Sequence, residues 1–259
     1  MTIRVAIGGG TGKLGSLVCQ KVASAEDMEL VSVVVSDEGG HVGTDVCGVT
    51  AVGASSLNDA LKGVDVYVDL TSPSAASKVI ASVPETGANI VLGTTAVDPD
   101  SIAQMTANVE RCCTSAVISA NFAIGVNVFW RMCELMAQHL PDYDIEVIEA
   151  HHSQKRDAPS GTAMETVRRL QSSSGINDVV YGRQGVTGPR GREICVHSIR
   201  AGDIVGDHTV IFAKNMERVE LTHKAISREA FADGCVETIR WVAGRHDGRV
   251  HGMSEVLGL

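Results

Sequence analysis

IRVAIGGGTGKLG, residues 3–15, sets a short apolar run against a glycine-rich turn and the start of a second apolar pattern. Residues 3–8 read as a buried strand. Leu14, Val18 and Val22 then recur at helical spacing, which predicts a helix over residues 13–24. Across the turn and into the helix start, Gly9, Gly12 and Gly15 stand three apart. A strand-to-helix turn this tight needs glycine for its dihedrals and for close backbone approach. The helix it opens offers free N–H groups and a positive dipole end, which suit a pyrophosphate. The spacing is GxxGxxG rather than GxGxxG, with Gly10 blurring the distinction. At the start of a strand–turn–helix unit it predicts dinucleotide binding. The plainer alternative is a glycine turn with only a structural role.

Outward from this motif the pattern repeats. Residues 29–36, 64–71, 89–95 and 115–122 read as further short apolar strands, with helical stretches between most of them. That alternation predicts a doubly wound α/β domain, a parallel sheet covered on both faces. Beyond it the pattern changes. Residues 126–140 form a strong amphipathic helix pattern, 143–152 a strand and 161–171 a helix. Three strand-like runs follow, at 193–200, 204–213 and 217–224, and then a final helix at 228–244. The short connections and alternating polarity of those runs predict an antiparallel sheet in a second, α+β domain.

Composition narrows the function. The chain has 259 residues, enough for one large or two smaller cores, and its formal net charge is −9. That charge argues against nucleic acid as a partner, because phosphate neutralisation needs clustered Lys and Arg. No eighteen-residue apolar run predicts a membrane span. The N-terminus runs directly into a strand, without the apolar core of a signal peptide. Seven cysteines at irregular spacing, with no CxxC pattern, fit a reducing cytoplasm.

The densest chemistry lies at EAHHSQKRDAPSGTA, residues 149–163. Pro159 resists helix before it, and Ser160 or Thr162 can cap the helix that follows. Backbone N–H groups at Gly161 and Thr162 then form an anion site suited to a substrate carboxylate; simple capping is the alternative. His151 and His152 end a strand, so their side chains point to opposite faces, which disfavours a shared metal. One histidine can exchange a proton with substrate and the other can hydrogen-bond a carboxylate. Lys155 can pair with a carboxylate or act as an acid, and Asp157 can orient it. With the glycine loop as a nicotinamide site, these groups describe a reductase.

The cofactor's ribose end is less marked. A carboxylate at the end of the second strand would grip a diol. Val35 and Ser36 stand there instead, followed by Asp37 and Glu38. Ser36, with Lys13 as a nearby cation, tilts the choice between NADPH and NADH towards NADPH.

EAHHSQKRDAPSGTA closely resembles the signature of the 4-hydroxy-tetrahydrodipicolinate reductase family, also called dihydrodipicolinate reductase. The resemblance extends through GTT at 93–95, SANFAIGVN at 119–127, RAGDIVGDHTVIF at 200–212 and ERVELTHKAISREAFADG at 217–234. It implies a Rossmann-like domain at 1–123 completed by 230–259, and a substrate-binding and oligomerisation domain at 124–229. The latter's open mixed or antiparallel sheet would pair subunits into a homotetramer. It also implies the second step of the diaminopimelate route to lysine, an NAD(P)H-dependent reduction of a small cyclic dicarboxylate. His151 corresponds to the family's proton donor/acceptor and Lys155 to its second donor. His152, Gly161 and Thr162 correspond to its substrate-carboxylate contacts. Gly9, Gly10, Thr11, Gly12, Lys13 and Leu14, then Gly93, Thr94 and Thr95, then Ser119, Ala120, Asn121 and Phe122, correspond to its cofactor contacts. No metal is implied. Val35 and Ser36 depart from the acidic residue that many members place there. Two other readings share the motifs: a reductase of another cyclic imine or enamine dicarboxylate, and a non-catalytic NADP-binding sensor or scaffold.

Overall fold

The computed structural model describes residues 2–259, which divide into two compact units. One runs to Ile124 and resumes at Glu229; the other is Gly125–Arg228. The chain begins with β1 (Ile3–Gly8), α1 (Lys13–Ser24) and β2 (Met28–Val35). A small hairpin follows, β3 (Asp45–Val46) and β4 (Val49–Thr50), then β5 (Val52–Gly53) and α2 (Leu57–Ala60). Next come β6 (Val66–Asp69), α3 (Pro73–Val79), β7 (Asn89–Leu92), α4 (Pro99–Cys112) and β8 (Ala116–Ile118). The middle of the chain forms α5 (Ile124–His139), β9 (Asp144–His151), α6 (Gly161–Ser174), β10 (Val179–Tyr181), β11 (Ile194–Arg200), β12 (Gly206–Lys214) and β13 (Glu217–Ala225). The chain closes with α7 (Glu229–Ala243), β14 (Val250–His251) and α8 (Met253–Leu257).

The first unit is a seven-stranded sheet in the order β14-β8-β7-β6-β1-β2-β5, parallel at every pairing. Successive residues of a strand face opposite sides, so an apolar run such as Val5–Ala6–Ile7 feeds two cores at once. Val5 and Ile7 join Val18 and Val22 of α1 and Ile239 and Val242 of α7. Ala6 joins Ala76 of α3 and Met105 and Val109 of α4 on the other face. The sequence direction of the order reverses between β1 and β6. In sheets of this kind that switch point leaves a crevice at the carboxyl ends of the strands. Ser72 and Asp98 cap α3 and α4, each with proline as the next residue, so both helices start where their sequences dictate. The doubly wound α/β expectation therefore describes this unit. It also gains two short strands, β5 and β14, too brief to show periodicity.

The second unit carries a five-stranded sheet, β10-β11-β9-β12-β13. The three late strand-like runs do not form the expected antiparallel sheet among themselves. β9 lies between the first two: β11 pairs with it parallel and β12 antiparallel, and only β12 and β13 form a hairpin. Alternating polarity reports which face a side chain takes, not which strand lies beside it, so the order was not readable from the runs. Ile145, Val147, Glu149 and His151 of β9 form its buried set, and α6 packs on β9 and β11. Trp130 of α5 donates to Thr166 of α6 at 3.0 Å, joining the two helices. The opposite face of the sheet carries Ile148, His197, Thr209 and Ile211, all partly exposed.

Candidate active site

In the first unit, β1 ends at Gly8 and the chain turns through Gly9, whose φ is +79°. Gly9 N–H donates to Val34 O at 2.8 Å and Gly12 N–H to Gly9 O at 2.9 Å, which fixes the turn. Gly12 precedes α1 and makes no side-chain cap. The helix start therefore presents N–H groups that a bound anion can satisfy. Gly15 is the contact that holds turn and helix together: a Cβ there would lie 2.1 Å from Gly9 O. Gly9 and Gly15 are positions that only glycine permits, and the turn between them is a backbone cradle that fits a pyrophosphate.

Two further loops leave the neighbouring strands. Thr94 follows β7 and donates to Asp69 Oδ1 at 2.6 Å. Asp69, fully buried at the end of β6, also accepts from Thr71 Oγ1 at 2.8 Å and Tyr67 OH at 3.0 Å. Burial and this carboxylate push the Tyr67 phenol well above its usual value, so it remains a donor. Ser119 donates to Asn121 O at 2.7 Å and accepts from Asn121 N–H at 3.1 Å, winding that loop tightly. Phe122 packs against Gly93, where a Cβ would meet its ring at 2.6 Å. The three segments singled out from the sequence thus sit together at the strand ends, with Gly10, Thr11, Lys13, Leu14, Thr95 and Ala120 within them. Asp69 is a positioning group that the sequence reading missed.

A cleft of about 310 Å³ lies past the end of β2, lined by Val35, Ser36, Asp37, Thr71, Ser72 and Lys78 among others. Asp37 does not present a free carboxylate there. It accepts from Ser55 Oγ at 2.8 Å and from Ser55 N–H at 3.1 Å.

In the second unit, β9 ends at His151, 8% exposed, and His152 follows partly exposed. Lys155 pairs with Asp157 at 2.9 Å. Ser160 rather than Thr162 caps α6, accepting from Ala163 N–H at 3.1 Å. A Cβ on Gly161 would meet nothing within 4 Å, so the helix start is open to a ligand. His151 Nδ1 lies 2.5 Å from Glu149 Oε2, and Glu149 is wholly buried. Burial alone pushes the Glu149 carboxyl up, but hydrogen bonds from Arg200, Ser198 and His151 hold it below its ordinary value. Burial lowers His151, and the contact with Glu149 opposes that. His208 of β12 stands edge-on to His151 at 5.2 Å and contacts Ser160 Oγ at 3.2 Å. Burial, reinforced by His151, drives His208 down to about 3, so it is neutral at physiological pH.

Glu149, Arg200 and His208 were given no role from the sequence. One signal was present for Glu149: in DIEVIEAH it falls on the same alternate set as Ile145 and Val147, a carboxylate on the buried face two residues before His151. On the opposite face, Glu146, Cys195 and His197 bring donor atoms within 4.8 Å of one another. Glu146 is already engaged there by Arg183 at 3.1 Å, Arg190 at 3.2 Å and His197 at 2.7 Å, which makes the group an ion-pair network.

Comparison with known proteins agrees across the chain. Residues 3–122 match the family model described as dihydrodipicolinate reductase, N-terminus, and residues 125–257 match its C-terminus counterpart. The 4-hydroxy-tetrahydrodipicolinate reductase of Methanothermobacter thermautotrophicus is 42% identical over 271 residues, covering 99% of both chains. That of Methanoculleus marisnigri is 43% identical over 257 residues, covering 99% of this chain and 100% of the relative. A solved structure, dipicolinate-bound dihydrodipicolinate reductase from Paenisporosarcina sp. TG-14, aligns with a TM-score of 0.82 at 27% identity, covering 98% of this chain and 99% of that one. Matched by both halves of the family and by relatives above 40% identity over nearly its full length, the chain belongs to the dihydrodipicolinate reductase family.

Proposed function

We propose that this protein reduces 4-hydroxy-tetrahydrodipicolinate to tetrahydrodipicolinate with NAD(P)H, the reductase step of the diaminopimelate route to lysine. The observation that carries the reading is His151: an imidazole held at a strand end by Glu149, followed within ten residues by Lys155 and an open, Ser160-capped helix start. The 4-hydroxyl leaves as water to give a conjugated ring, to which a bound nicotinamide dinucleotide would supply a hydride. The residues of the chain do the rest. Gly161 and Thr162 at the start of α6, with His152, hold the ring's carboxylates. Lys155 contributes positive charge and a second proton. His151 delivers a proton to the carbon adjacent to the one reduced. In the first unit, Gly9–Leu14, 93–95 and 119–122 hold the cofactor, and Asp69 keeps the Thr94 loop in place.

The reading extends to domain roles: 1–123 with 230–259 for the dinucleotide, 124–229 for substrate and assembly. The partly exposed sheet face with Ile148, Ile199 and Ile211 supports a homotetramer built through it. All seven cysteines are unpaired, in keeping with the cytoplasm. No described helix is long and apolar enough to cross a membrane. Preference for NADPH is supported by Asp37, whose carboxylate is taken by Ser55 and so does not oppose a 2′-phosphate as a free diol-binding carboxylate would. Steady-state oxidation of NADPH and NADH, with substrate generated in situ by the preceding synthase, tests both points. Turnover with the two cofactors in favour of NADPH is expected. Cofactor binding without turnover would overturn the assignment.

A further inference from the structure

We infer that Glu149 and Arg200 are a buried positioning pair that holds His151 with a proton on Nδ1, leaving Nε2 as the atom that exchanges protons with substrate. The inference rests on the reading of His151 as the acid–base group. It begins with strand register. Arg200 of β11 pairs with His151 of β9, and His208 of β12 pairs with Glu149, so all four side chains share one face. Arg200 grips the carboxylate with two parallel bonds, Nη1 to Oε2 at 2.9 Å and Nη2 to Oε1 at 2.8 Å. Such a fork fixes both the orientation and the charge of a carboxylate. Ser160 N–H adds a third donor at 3.3 Å.

A carboxylate in that state can only accept. The atom facing it at 2.5 Å, His151 Nδ1, must therefore be the donor in both the neutral and the protonated ring. Nε2 is left without a protein hydrogen bond among the described residues. Its room comes from β12: a Cβ on Gly206 would stand 3.0 Å from Nε2. Proton transfer then balances simply. The Nε2–H bond breaks, its electron pair stays on nitrogen, and the pair on the substrate carbon forms the new C–H bond. Neutral His151 remains, still donating through Nδ1, and solvent restores the proton on Nε2. Arg200 has a second task. Its Nη2 also donates to Asp157 O at 2.6 Å, tying down the loop in which Asp157 pairs with Lys155. One guanidinium thus sets both the imidazole and the backbone beneath the lysine's partner.

The charged and titratable groups facing His151 are Glu149 on its own strand, Lys155 and Asp157 from the following loop, Arg200 on β11 and His208 on β12. Glu149 is the one that raises its proton affinity, against burial, Lys155 and Arg200. Removing it has a sign that general damage lacks: the alkaline limb of the kcat profile moves to lower pH.

The test uses the intact protein labelled with 15N-histidine. Signals absent from the spectrum of His151→Gln assign His151 in the wild type. A protonated Nδ1 at neutral pH is expected; a neutral ring with its proton on Nε2 would overturn the inference, whether or not any other variant folds. Glu149→Gln is then expected to lower kcat on the order of 10²-fold. KM for the cofactor should be unchanged and the alkaline limb shifted downward. Wild-type kcat with an unmoved limb would also overturn it. Arg200→Met is expected to weaken the Nδ1–H signal while His151 and Glu149 are both present; an unaltered signal and rate would remove Arg200 from the pair. If His151→Gln itself turns over normally, the acid–base reading fails instead, and the labelled spectrum still decides whether the pair sets the tautomer.

Discussion

Gly15→Ala tests whether close packing at the turn is what builds the cofactor cradle. Residue 15 is in the first turn of α1, where alanine is favoured over glycine by up to about 1 kcal/mol. Propensity alone therefore predicts a gain. Packing predicts the reverse. The new Cβ would lie 2.1 Å from Gly9 O, 2.8 Å from Gly9 C and 3.0 Å from Gly10 Cα, against ordinary contact beginning near 3.4 Å. All three are backbone atoms, so no side-chain rotation relieves them, and α1 must withdraw by about an ångström. Overpacking typically costs about 1–3 kcal/mol, and a backbone clash belongs at the upper end. For a chain of this size that lowers the melting temperature by roughly 6–12 °C. The withdrawal also moves the N–H groups aimed at the pyrophosphate. Losing one charge-assisted hydrogen bond, about 1.5–3 kcal/mol, weakens NADPH binding roughly 10- to 100-fold. Gly12→Ala is the control for stability, because its Cβ meets only Gly9 O, at 3.2 Å, and should cost less than about 1 kcal/mol. Scanning calorimetry and a fluorescence titration with NADPH read both effects. A Gly15→Ala protein with wild-type melting and wild-type affinity would refute the argument from packing to binding.

His151→Gln should reduce kcat by about 10²–10⁴-fold with little change in NADPH affinity, measured by steady-state kinetics and direct titration. Lys155→Met should raise KM for the dicarboxylate and lower kcat together, since the same ammonium serves binding and proton supply; a pure KM effect would remove its proton role. Gly206→Ala should push the His151 ring from its seat, because the added Cβ lies 3.0 Å from Nε2, and lower kcat while cofactor binding is unchanged. His208 has a folded pKa of about 3 against an ordinary 6.5, so between those values the unfolded chain binds the extra proton. Its contribution is complete above pH 6.5 and is lost as the pH falls towards 3, by about 1.4 kcal/mol per pH unit. His208→Gln should flatten the acid limb of the stability curve in urea titrations by up to one proton, and an unchanged slope would place the buried titration elsewhere.

The parts of this protein that were legible in its sequence are those written in local spacing. Three glycines spanning a strand-to-helix turn, an apolar run feeding two faces, and a capped helix after Pro159 are each decided within about fifteen residues, and the structure places them as the spacing requires. What was not legible depends on which strand lies beside which. Arg200 follows His151 by almost fifty residues, yet parallel register puts the two side by side. Gly206 and His208 reach the same spot from the opposite side because β9, not β11, is β12's neighbour. The expectation of a sheet made from the three late runs alone would have separated all of these from His151. Asp37 shows the same limit on a smaller scale: it lies two residues past the end of β2, and Ser55, brought near by the two-residue strand β5, takes its carboxylate. Spacing alone left His151 and His152 interchangeable as proton donor and carboxylate contact; the family resemblance is what assigns the first role to His151. What keeps that histidine in a usable tautomer is a carboxylate and a guanidinium joined across strands, and register is the physical quantity that joins them. Function at this site therefore depends as much on the order β11-β9-β12 as on the motif that first drew attention to it.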